Sequence, residues 1–93
     1  MSEFRPTRHE HHAIEAKLNM LLGASVYDEL FIGFEVICVR RGVLDVHVSS
    51  HSADIIQRTY SLHVAIVVES VLKRAVKSVN LCPRRVPLGR DRE

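Results

Sequence analysis

Two apolar runs joined by a short basic link, Leu30 to Val39 and Val43 to Ser49, constrain this chain more than any other feature. The first run is rich in Phe, Ile and Val, and in the second Leu44, Val46 and Val48 alternate with Asp45 and His47. A period of two marks a half-buried strand. The link, Arg40-Arg41-Gly42, reads as a three-residue hairpin loop with glycine at the left-handed position. That loop sets Val36 opposite Val46, Cys38 opposite Leu44 and Phe34 opposite Val48. It gathers Ile32, Phe34, Val36, Cys38, Leu44, Val46 and Val48 on one apolar face. The other face carries Glu35 opposite His47, Ile37 opposite Asp45, and Val39 opposite Val43. A two-residue loop at Arg41-Gly42 would set Cys38 against Asp45 and Val36 against His47, mixing the faces. A one-residue slip turns every side chain over, so the three-residue loop is expected.

A lone hairpin is marginal in water and needs helices or further strands to cover it. Thr7-Arg8-His9-Glu10 is a capping box, in which the Thr7 hydroxyl and the Glu10 carboxylate each accept from the other residue's backbone N–H. A helix is therefore expected from near Arg8, with Ile14, Leu18, Leu21 and Leu22 on its apolar face and Gly23 ending it. Residues 1–6 read as a loose arm and 24–29 as a connector. Ser50 and Ser52 are candidate N-caps, and Asp54 suits a first helical turn. On a helical wheel, residues 60–80 put Tyr60, Val64, Val67, Val68, Val71 and Leu72 in one half and Lys73, Arg74 and Lys77 in the other. Leu62, Val64, Ile66 and Val68 also alternate, so a strand over 61–68 competes; the broader segregation favours the helix. Pro83 is expected to stop it.

The fold class expected is α+β in the order α-β-β-α, an antiparallel hairpin covered by an N-terminal helix and a long C-terminal helix. Residues 1–82 form the domain and 83–93 a basic tail rich in Pro and Arg. This arrangement leaves both strand edges unpaired and Ile37, Val39 and Val43 on the second face. Exposed edges are usually paired or covered, so completion by dimerisation is expected.

Composition narrows function mainly by exclusion. A chain of 93 residues, 46% hydrophobic and 26% charged, holds one globular domain and is not a disordered tail. The longest unbroken apolar run, Val64 to Val68, is too short for a membrane-spanning helix. Residues 1–12 offer no apolar stretch, so no signal peptide is expected and the placement reads as cytoplasmic. Cys38 and Cys82 form no CxxC pair, which argues against a disulfide framework or a zinc site. The glycines at 23, 33, 42 and 89 are isolated, so there is no phosphate-cradling loop. No cofactor is expected.

Three sets of side chains carry chemistry. The first is basic: Arg40 and Arg41 at the hairpin tip, Lys73, Arg74 and Lys77 on the outer helix face, and Arg84 and Arg85 beyond Pro83. Of the 13 basic residues all but Lys17, Lys73 and Lys77 are Arg, whose planar fork suits phosphate. Such a set can grip phosphates without reading bases. Against it, Glu69 stands at i, i+4 from Lys73 and can pair within the helix. The second set is Glu35 opposite His47, an acid able to orient an imidazole, with Ser49 as the only nucleophile in view. The third is His9, His11 and His12; His11 lies at i, i+4 from Glu15, but the imidazoles diverge around the helix and no metal is expected. The function expected is a small homo-oligomeric interaction module, with nucleic acid the favoured ligand and another protein the next. The alternative is a small enzyme or ligand-binding protein with a pocket at a subunit interface built from Glu35, His47 and His11.

Overall fold

The structure, a computed structural model, describes residues 3–84. Both reciprocal bonds of the capping box form: the Thr7 N–H donates to Glu10 Oε1 at 2.8 Å and the Glu10 N–H to Thr7 Oγ1 at 3.2 Å. They start helix α1, Arg8–Leu22, which ends at Gly23 with φ 89°. The segment expected as a connector is a second helix, α2, Ala24–Leu30. Its last residue is the Leu30 that the sequence assigns to a strand. Phe31 and Phe34 lie buried in the turn beyond it, and the hairpin proper comprises β2, Glu35–Arg40, and β3, Val43–Ser49.

The hairpin corrects the expected register at its tip and keeps it farther out. Arg40 faces Val43, so the loop has two residues, and Arg41 and Gly42 both adopt positive φ, 54° and 81°. That is a primed turn, whose twist matches that of the strands. Cys38 then faces Asp45 rather than Leu44, and Val39 faces Leu44. A β-bulge between Val36 and Cys38 inserts Ile37 and restores Val36 opposite Val46 and Glu35 opposite His47. The bulge removes the objection to a two-residue loop, because it lets Val36 and Val39 both face the core with Leu44, Val46 and Val48.

Beyond β3 the chain runs through a short helix α3, Ala53–Ile55, a π-helical segment Ile56–Tyr60, and α4, Ser61–Leu72. The π segment widens the turn and shifts the helical phase. Ile56 is fully buried together with Val64 and Val68. Residues 61–68 are helical, not a strand. The helix stops at Leu72, well short of Pro83, because Lys73 turns to left-handed φ, 58°.

Residues Ser78–Arg84 then form β4, which lies parallel to β3 from Val43↔Ser78 to Ser49↔Arg84. A parallel return needs a crossover of a dozen or more residues, which the helical stretch from Ala53 to Leu72 supplies. Val79 and Leu81 turn to the core, while Ser78, Asn80 and Cys82 turn away. Glu3–Phe4, within the expected loose arm, pairs with Arg40 and Val39 as β1. The result is a four-stranded mixed sheet in the order β1-β2-β3-β4, with α1 and α4 packed together on its apolar face. Pro83 and Arg84 belong to β4; the rest of the expected tail, Arg85 included, lies outside the described residues. The two strands that flank the hairpin supply the edge pairing for which a dimer was expected.

Candidate functional site

The return of β4 brings separated basic residues to one end of the molecule. Gly42 at the hairpin tip accepts from the Lys77 N–H at 2.7 Å. The Lys77 side chain passes so close to it that a Cβ on Gly42 would stand 3.2 Å from Lys77 Cγ. Lys77 therefore lies over the turn that carries Arg40 and Arg41. Arg74 sets its guanidinium over the Phe4 ring at 3.9 Å from the centroid, and Phe4 pairs with Val39. Lys73, next to it, occupies the left-handed position that ends α4.

The hairpin tip, the α4–β4 connection and β1 thus place Arg40, Arg41, Lys73, Arg74 and Lys77 around the same end, all exposed. Among the described residues, Arg41, Lys73, Arg74 and Lys77 form no ion pair. The intrahelical Glu69–Lys73 pair is not made; Glu69 instead accepts from the Val76 N–H at 3.1 Å. Arg84 does not join the group. It lies at the far end of β4, roughly 20 Å along the strand, where its Nη2 donates to Glu35 Oε1 at 3.1 Å and to the Gly33 carbonyl at 3.3 Å.

Arg40 differs from its neighbours because it is held. Its Nη2 donates to Asp45 Oδ2 at 3.0 Å. Asp45 is 6% exposed and also accepts from Asn80 Nδ2 at 3.0 Å and from the Cys38 thiol at 3.5 Å. The Asn80 amide, then Arg40 and Cys38, hold the Asp45 carboxyl below its ordinary range, while burial pulls the other way. Burial first, then the bond to Asp45, pushes the Cys38 thiol up. Asp45 thus pins β2 and β4 to β3 and fixes Arg40 at the margin of the basic end.

The second candidate set is only partly assembled. Glu35 faces His47 as expected, and Cys82, which the sequence did not bring there, is the neighbour of His47 on the other side. An acid, an imidazole and a thiol therefore share one row of the sheet. The Glu35 carboxylate is taken by Arg84, and buried His47 Nδ1 has no hydrogen-bond partner. His11 lies apart from this row and performs a structural task. Its Nε2 accepts the Val36 N–H at 3.2 Å, and its Nδ1 lies 3.5 Å from Glu15 Oε2. It thereby covers the β2 edge beyond the short β1, where an unpaired N–H would stand open. Among the described residues no group of three His, Cys, Asp or Glu is placed to hold a metal ion, and no helix is long and apolar enough to cross a membrane.

On the opposite flank, an open groove of about 380 Å³ runs between α1 and α4, lined by Lys17, Met20, Leu21, Ile66, Val67 and Ser70. Leu21, expected in the core, is 55% exposed there. No family model, no curated protein and no solved structure matches this chain.

Proposed function

We propose that this protein is a non-enzymatic module that binds nucleic acid by gripping the phosphate backbone with its basic end. The observation that carries this reading is the convergence of Arg41, Lys73, Arg74 and Lys77 from two separate segments, with no acidic partner among the described residues. Cations left unpaired at close quarters repel one another, and a polyanion relieves that repulsion while releasing its own condensed counterions. The supports are turn and helix-end backbone rather than a cleft, which suits contact with phosphates more than readout of base edges.

The test is fluorescence anisotropy with labelled oligonucleotides at low salt. Arg41→Ala combined with Lys77→Ala weakens binding by tenfold or more. Arg58→Ala, which removes a guanidinium already paired with Asp54 at 2.8 Å, leaves it within twofold. Equal effects of the two variants would show that the attraction is spread over the whole surface and would refute a site at this end.

A further inference from the structure

The contact between Phe4 and Arg74 bears on which class of nucleic acid would bind, and this step rests on the phosphate-binding reading above. Arg74 is exposed, yet its guanidinium carbon lies over the Phe4 ring, 3.9 Å from the centroid. Phe4 is itself held by the β1–β2 ladder through Val39. A long Arg side chain ordinarily samples many rotamers, and ordering it on binding costs affinity. Here the contact with Phe4 restrains the guanidinium beforehand, while the residue stays exposed. Nucleobases stack on Arg guanidinium planes, but only bases that are unpaired and splayed from a helix can reach them. Lys73 beside Arg74, and Lys77 with Arg41 over the turn, supply cations for the flanking phosphates.

We infer that the Phe4–Arg74 pair is a stacking platform for an unpaired base and that the ligand is single-stranded nucleic acid, held at its phosphates by Lys73, Lys77 and Arg41. Charge and planarity separate in one substitution. Arg74→Lys keeps the cation and removes the plane. Phe4→Leu keeps the apolar contact and removes the aromatic support, and Phe4→Tyr keeps that support.

The experiment measures affinity for a single-stranded oligothymidine and a duplex of equal length, at several salt concentrations, for the wild type and these three variants. Thermal melts confirm that each variant is folded. The wild type binds the single strand more tightly than the duplex. Arg74→Lys and Phe4→Leu each weaken single-strand binding roughly tenfold, with the salt slope and duplex affinity unchanged, and Phe4→Tyr binds like the wild type. If the wild type binds both ligands and Arg74→Lys is neutral on the single strand, the platform is overturned and phosphate binding stands. Preference for the duplex overturns the platform in the same way. Failure of the wild type to bind either ligand refutes the phosphate reading, and the platform with it.

Discussion

Replacing Asp45 by Ala tests whether the open face of the sheet is held by its buried carboxylate. Asp45 accepts three hydrogen bonds, from Asn80 and Arg40 at 3.0 Å each and from Cys38 at 3.5 Å. A hydrogen bond to a charged group contributes about 1.5–3 kcal/mol when well formed. The three are not equal. The Arg40 side chain is 58% exposed, so water replaces its bond at little cost. The Cys38 contact is long and thiols are weak donors. Asn80 supplies most of the effect, partly recovered by solvent because Asn80 is itself exposed. Asp45→Ala is therefore expected to cost about 2–3 kcal/mol in urea unfolding, and Arg40→Ala less than about 1 kcal/mol. The pH dependence has a fixed sign. A carboxyl held below its ordinary range stabilises the fold above the unfolded-state value, and that contribution is lost as the pH falls through the folded value. The gap between the wild type and Asp45→Asn should thus narrow on acidification below about pH 4. A loss below 0.5 kcal/mol for Asp45→Ala, or an Arg40→Ala loss as large, would refute this reasoning.

Other expectations follow from separate parts of the fold. Lys73 carries φ 58° at the end of α4, so Lys73→Gly should raise stability by about 0.5–1 kcal/mol in urea unfolding while lowering oligonucleotide affinity; destabilisation would contradict the left-handed cap. With Val64 at 0% and Leu62 and Ile66 at 68% and 57% exposed, Val64→Ala should cost roughly 2 kcal/mol and Leu62→Ser with Ile66→Ser under about 1 kcal/mol. The reverse order of midpoints would turn α4 around. Cys38 is 4% exposed and its thiol is pushed up by burial, so a thiol reagent near neutral pH should modify Cys82 first, leaving Cys38 until the chain unfolds.

What the sequence disclosed and what it hid divide along the range of the interactions. The Thr7–Glu10 box is local, and its helix forms as read. The helical pattern over 61–72 is also local and forms, but the same wheel fits 73–80, where no helix forms. There the alternation of Val79 and Leu81 against Ser78, Asn80 and Cys82 serves a strand. Its partner is β3, on the far side of a crossover, and no neighbouring residue signals a parallel pairing. Glu35 does face His47, but for a different reason from the expected one: a shorter loop and the Ile37 bulge cancel. Phe4 looked like part of an arm because a two-residue strand is defined by its partner rather than by its own pattern. The basic residues were individually legible. Their convergence was not, since it depends on β4 returning beside the tip and on Phe4 receiving Arg74.

The salt dependence of binding tests the central claim most directly. Affinity for a single-stranded oligonucleotide is measured by anisotropy across a range of salt concentrations, for the wild type and for Arg41→Ala with Lys77→Ala. The three cations assigned to phosphates, Arg41, Lys73 and Lys77, predict a slope of log affinity against log salt of about −2, with the double variant shallower by roughly 1.4. Wild-type binding that ignores salt, or a double variant with an unchanged slope, would contradict a phosphate-gripping basic end.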